Sequence, residues 1–294
     1  MAARSSSITP LVSILVILVL ATLLAWAGSQ HGAQVGGVPL FALCGALAFA
    51  INGLVFVPAY LWQSERYYDL TGSATYLGLV ALVLGLADEI QPRTALLASL
   101  VAVWALRLGP FLFWRVLKDG GDGRFERIKP SFPRYLMTWC LQALWVFMTL
   151  SCALAAMTGT AHSPLDLAAG LGVLAWLAGF AIEVVADGQK RRFRRDPSNE
   201  GRFITHGLWA WSQHPNYFGE ILLWAGIAWI ALPALQGWQH VTLLSPLFVY
   251  VLLTRISGIP LLRARAQRRW GQDPDYQAHL ARTSLLLPRP PRQS

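Results

Sequence analysis

Apolar runs of about 20 residues, separated by short polar segments, fill most of this chain. They cover residues 10–27, 39–62, 72–87, 94–116, 135–158, 166–186, 215–235 and 241–260. A helix rises 1.5 Å per residue, so about 20 such residues cross the ~30 Å hydrocarbon layer of a bilayer. The pattern therefore predicts an all-α, polytopic transmembrane helix bundle of about eight spans, the third being the shortest. No soluble domain is expected. Residues 1–60 read as N-terminal transmembrane helices ahead of a larger membrane domain at 61–290.

Composition agrees with that reading. Of 294 residues 55% are hydrophobic and only 13% charged, against about 25% charged in soluble domains. Basic residues collect in cytoplasmic loops of membrane proteins. With the N-terminus inside, the inner segments hold 20 of the 24 Lys and Arg, and the outer loops hold only Arg93. An even number of spans with both termini cytoplasmic follows. The net charge of +9 needs no nucleic acid, because orientation and attraction to anionic membrane lipids account for it. The first span lacks a small-residue cleavage pattern at its end and reads as an uncleaved anchor. Cys44, Cys140 and Cys152 lie inside spans as small apolar residues, and no metal site is expected. Trp26, Trp62, Trp114, Trp209 and Trp238 fall near span ends, as in an interfacial aromatic belt.

Polar residues within the spans change the picture. Arg107 lies in the middle of the fourth span, where a charge costs at least ~2.5 kcal/mol and faces a cavity or a partner. It shares a helix face with Phe111 and Arg115. Its structural alternative is an ion pair with a carboxylate such as Glu183. Glu183 and Asp187 sit four residues apart at the end of the sixth span, ahead of the basic run Lys190, Arg191, Arg192, Arg194 and Arg195. After that run comes SQHPNYFGE. Pro215 suits the first turn of a helix, Ser212 or His214 sits near its cap, and Asn216 and Glu220 share a face. Free N–H groups at such a helix start favour an anion, and arginines supply forked donors for phosphate. The stretch from Asp187 to Glu220 is thus a candidate dock for a phosphate-bearing cofactor.

These residues also carry a resemblance. The D-x-Q-K-x-x-F of Asp187 to Phe193, the G-L-W of Gly207 to Trp209, the H-P-N-Y-F-G-E of His214 to Glu220 and the W-x-L-R-L-G…G-x-D-x-R-F of Trp104 to Phe125 resemble DUF1295, a bacterial family of unknown function related to the C-terminal domain of steroid 5-alpha reductases. So do ISGIPLL at 256–262 and the segment from Tyr276 to Pro288. The resemblance implies a membrane enzyme, in a bacterial inner membrane, that uses NADPH from the cytoplasm to reduce a C=C bond conjugated to a carbonyl in a lipophilic substrate. Carried over by position, Asp187, Arg194, Asn216 and Glu220 would contact NADPH. Arg107 would face the same cavity, and Arg191, His214 and Tyr217 would stand beside them. Where steroid reductases have a Tyr three residues before the arginine matching Arg107, this chain has Trp104. Glu65, Tyr68 and Asp69 are then the candidates for polarising the substrate carbonyl. Two other readings remain: an S-adenosylmethionine-dependent methyltransferase of the isoprenylcysteine type, and a non-catalytic lipid-binding membrane protein.

Overall fold

The computed structural model describes residues 2–123 and 125–290, with side chains from Thr9 onward apart from Asp119. Arg124, part of the Trp104 to Phe125 motif, lies outside the described residues. Among the described residues, eight helical segments are long and apolar enough to cross a membrane: Thr9–Gly28, Leu40–Leu61, Tyr68–Leu86, Pro92–Lys118, Phe132–Thr158, Leu167–Arg195, Pro215–Ala234 and Gly237–Trp270. The expected all-α transmembrane bundle is thus what forms. The only paired strands among the described residues are a two-residue hairpin, β1 (Gln34–Val35) and β2 (Val38–Pro39). Gly36 and Gly37 turn it with φ of 58° and 82°, the geometry a two-residue hairpin demands.

Two compact units divide the chain. The first comprises residues 1–169 and 230–245, the second 170–229 and 246–294. In the first, α1 (Ala2–Gly28), α2 (Leu40–Leu61), α3 (Tyr68–Leu86) and α4 (Pro92–Asp119) all pack on α5 (Phe132–Thr158). That makes α5 the core helix: 78% of its apolar window is buried, against 28% for α1. Polar side chains lock the helices together inside the bundle. Gln142 of α5 donates to Asn52 of α2 at 3.0 Å and to the Tyr68 carbonyl of α3 at 2.8 Å. Asn52 in turn donates to Thr75 at 3.4 Å. With few apolar contacts to gain over lipid, such interhelical hydrogen bonds fix register.

Arg93, the lone basic residue of the expected outer loops, is 2% exposed. It donates to the carbonyls of Ser163 (3.2 Å), Pro164 (2.5 Å) and Ile230 (2.5 Å) and pairs with Asp166 at 3.1 Å. A cation in that position ties off carbonyls that would otherwise be buried without donors.

In the second unit α6 (Leu167–Arg195) and α7 (Pro215–Ala231) cross backbone to backbone. A Cβ on Gly179 would stand 2.6 Å from the Gly219 carbonyl oxygen, and one on Gly226 would stand 2.6 Å from the Gly172 carbonyl oxygen. Glycines at a helix crossing allow this approach. α6 also runs nine residues past its expected end, so Asp187 to Arg195 is helix and not loop. Basic residues favour that last turn, where they meet the negative end of the helix dipole. The eighth span is broken. A 3-10 segment (Gly237–Leu244), α8 (Ser245–Val251) and a π-turn (Leu252–Ile256) precede α9 (Ile259–Trp270) and α10 (Pro274–Arg282).

Candidate functional site

The DGQK and GLW motifs explain each other. Gln189 of α6 accepts from the Leu208 N–H at 3.0 Å, and the Trp209 indole donates to the Ala186 carbonyl at 3.0 Å. Gly207 adopts φ 63° with the Gln189 side chain directly beneath it, so any Cβ there would collide. Trp209 is 4% exposed and packs with Ala186 and Ile204. It belongs to a local core rather than to an interfacial belt. Pinning this indole to α6 places its face under Lys190, whose ammonium stands 4.4 Å from the ring centroid.

The next residues fix the start of α7. Ser212 donates to the Leu286 carbonyl at 2.7 Å, and Gln213 donates to the Thr283 carbonyl at 2.8 Å. The His214 N–H bonds the Ser212 hydroxyl at 3.1 Å. The segment after α10 is therefore strapped against residues 211–213, and His214 is held at the helix start with its ring stacked on Tyr217 at 5.5 Å. Tyr217 in turn rests against Gly258, where a Cβ would stand 3.0 Å from its ring.

These elements enclose a cavity of about 310 Å³ wholly within the second unit. α6 lends Lys190, Phe193 and Arg194. The connection to α7 lends Arg202, Phe203, Gln213 and His214. α9 lends Arg263, Arg265, Arg269 and Trp270, and α10 lends Tyr276 and His279. Among the described residues, six cationic side chains and no carboxylate line this void. Rings form its other character. Phe203 meets Tyr276 at 5.1 Å and Trp270 at 5.8 Å, while the Trp270 indole donates to the Gly201 carbonyl at 2.5 Å. Burial, together with the charges of Lys190 and Arg263, lowers the His214 pKa to about 4. The ring is therefore neutral at pH 7. Burial, then Arg282, also lowers that of His279.

Of the residues expected to hold the cofactor, Arg194 and His214 line this cavity. Asp187 and Asn216 meet directly, the Asn216 amide donating to the Asp187 carboxylate at 3.2 Å across the α6–α7 crossing. Glu220 lies one turn further along α7 and is half-buried, and Tyr217 reaches the site through its stack on His214. Arg191 is exposed on α6 and does not line the cavity. Arg202 and Phe203 fall within the stretch expected to dock a phosphate without being singled out there, and Arg263, Arg265, Arg269, Trp270 and Tyr276 lie outside the expected site. A signal existed for the α9 group: Arg263, Ala266, Arg269 and Trp270 follow the spacing of one helix face.

The remaining candidates belong to the first unit. Glu65 is 7% exposed, accepts from the Asp122 N–H at 2.9 Å and pairs closely with Lys129. Burial pushes its pKa up, but the hydrogen bonds from Lys129 and Asp122 outweigh burial and leave it below the usual carboxylate value. The Tyr68 hydroxyl donates to the Thr138 carbonyl at 3.0 Å, its ring edge-on to Phe125 and Trp139. Asp69 pairs with Arg115 at 3.7 Å. The Arg107 guanidinium stacks over Phe111 at 5.1 Å, as their shared helix face allows.

A family model described as "Protein of unknown function (DUF1295)" matches residues 55–283 of the chain. The match spans most of the chain, and the chain belongs to that family. Every residue lining the cavity falls within it. No curated protein and no solved structure matches the chain.

Proposed function

We propose that this membrane protein is an NADPH-dependent reductase of a C=C bond conjugated to a carbonyl in a lipophilic substrate. The observation that carries the reading is the cavity of the second unit, with six cationic side chains, a rim of aromatic rings and no carboxylate. NADPH carries more phosphate charge than NADH, and this donor set matches it: planar guanidinium forks suit phosphate oxygens, and aromatic faces suit a flat base. When bound, NADPH supplies the hydride. Lys190, Arg194, Arg202, Arg263, Arg265 and Arg269 hold its phosphates. Phe203 and Trp270 would exclude water from the base, and the Asp187–Asn216 hydrogen bond, outside the cavity lining, would hold the start of α7 in place.

The protein must also stabilise charge developing on the substrate carbonyl oxygen. The candidates carried for that role, Glu65, Tyr68 and Asp69, belong to the first unit, where the Tyr68 hydroxyl donates to the Thr138 carbonyl. Glu65 and Asp69, paired with cations, act in this reading by holding the loop after α4 and the start of α3. The cavity argues against the methyltransferase reading, because S-adenosylmethionine has no phosphate and carries a sulfonium cation that six basic side chains repel.

The test is a titration of the purified protein with NADPH, NADH and S-adenosylmethionine. Saturable NADPH binding, tighter than that of NADH and weakened by Arg263→Ala, is expected. Saturable binding of S-adenosylmethionine with none of NADPH overturns the proposal. Oxidation of bound NADPH on adding an enone-bearing lipid would then establish the reaction.

A further inference from the structure

We propose that anion binding in the cavity of the second unit is coupled to uptake of a proton by His214, so that the site holds its ligand more tightly as its surroundings acidify. The proposal rests on the reading of that cavity as an anion site. His214 lines the cavity at the start of α7, and its Nδ1 is buried with no hydrogen-bond partner. Lys190 of α6 and Arg263 of α9 act on the ring by their charge, and Tyr217 of its own helix stacks on it; Arg194, Arg265 and Arg269 line the same cavity, and Asp187 of α6, bonded to Asn216 two residues along, lies outside that lining. Arg202 of the connecting segment and Tyr276 and His279 of α10 complete the wall. None of the lining residues is a carboxylate, so nothing lining the cavity favours an imidazolium.

Burial first, then the charges of Lys190 and Arg263, hold the ring neutral, with a pKa of about 4. A polyphosphate docked in the cavity neutralises those two charges and adds negative charge beside the ring. Both effects favour the protonated form. The sign follows: the pKa is higher in the bound state, so protons are taken up on binding between the free and the bound value. Affinity is greatest below about 4 and falls as pH rises through the bound value. His279 lines the same cavity without this property. Its Nδ1 is paired with the Thr283 hydroxyl at 3.2 Å, and the charge that depresses it belongs to Arg282, which does not line the cavity. An anion therefore acts on His279 through its own charge alone and on His214 also by neutralising Lys190 and Arg263, so His214 shifts further.

The experiment is calorimetry of the full-length protein with NADPH and, separately, with inorganic tripolyphosphate, in pairs of buffers that differ in ionisation enthalpy. Wild type is compared with His214→Asn and His214→Gln, each checked for an unchanged melting temperature. The ligands' own protons are common to all three proteins and cancel in the comparison. Expected is a proton uptake present in wild type and reduced in both variants. Affinity should rise by up to about tenfold from pH 8 to pH 5 in wild type, and by less in the variants, for each tenfold gain in proton preference on binding. Equal proton uptake in wild type and variants overturns the coupling, as does failure of both ligands to bind. If tripolyphosphate shows the His214-dependent uptake while NADPH does not bind, the coupling stands and the cofactor reading falls.

Discussion

The two units handle positive charge in opposite ways. In the first, each cation described in detail is matched inside the protein: Arg93 by three carbonyls and Asp166, Lys129 by Glu65, Arg115 by Asp69, and Arg107 by the face of Phe111. In the second, six cations converge on one void with no carboxylate in its wall. Matched charge stabilises a fold, because removing one partner strands the other. Cations gathered around a void give that void a positive field, which an anion entering it would lower in energy. The contrast separates cations fixed by named partners in the first unit from cations that line a cavity in the second.

Substitutions should divide along that line. The largest stability loss is expected for Arg93→Ala, which leaves three carbonyls without their donor and should cost about 3 kcal/mol or more. A lowered midpoint for unfolding in mixed detergent would show it, and an unchanged midpoint would break the comparison. Gly219→Leu comes next, since its side chain must part α6 from α7. A loss of roughly 1–3 kcal/mol is expected from overpacking, together with loss of NADPH binding as Asp187 and Asn216 separate. Arg263→Ala should do the reverse, with stability unchanged to within about 0.5 kcal/mol and NADPH affinity reduced about tenfold or more per charge-assisted contact. Raising ionic strength should weaken that affinity while leaving the melting temperature nearly fixed. The smallest effect is that of Glu65→Gln. The Glu65 pKa lies below its usual value of 4.5, so its contribution is present above that value and lost as pH falls through the folded one. The variant should flatten the acid limb of the stability profile below about pH 4.5 and remove its share of stability at pH 7.

Much of this organisation is legible in the sequence, for physical reasons that differ by region. The spans are legible because the bilayer imposes a length and forbids unmatched backbone, so apolar runs and helices coincide from Leu40–Leu61 to Phe132–Thr158. The rule fails where helices leave the lipid. α6 continues through its arginines to Arg195 because a helix in water tolerates what a helix in lipid does not. Trp209 reads as a belt residue since nothing local shows that Gly207 folds it back onto Ala186. For the site, the start of α7 is legible because His214, Asn216 and Glu220 are costly where leucines would serve. His214 is found that way, and Arg194 through the basic run that ends α6. Phe203 and Tyr276 are not, because their role exists only once α10 packs beside the segment after α6. The Asp187–Asn216 contact across helices also needed the Gly179–Gly219 crossing, which no spacing along either helix reveals.

That cavity has a further consequence, in the time order of synthesis. Its first wall, at Lys190, and its last, at Leu280, are separated by some 90 residues of chain. At about 5–20 residues per second, the ribosome takes on the order of ten seconds to bridge them. Through that interval the arginines of α6 stand without the α9 and α10 side chains that later share their void, and the start of α7 lacks the Thr283 and Leu286 carbonyls that will anchor Gln213 and Ser212. The membrane helices can be inserted one by one as they emerge, but the cavity cannot. It comes into being late and all at once, and a nascent chain halted before α10 would have all its membrane helices yet lack the last wall of the cavity.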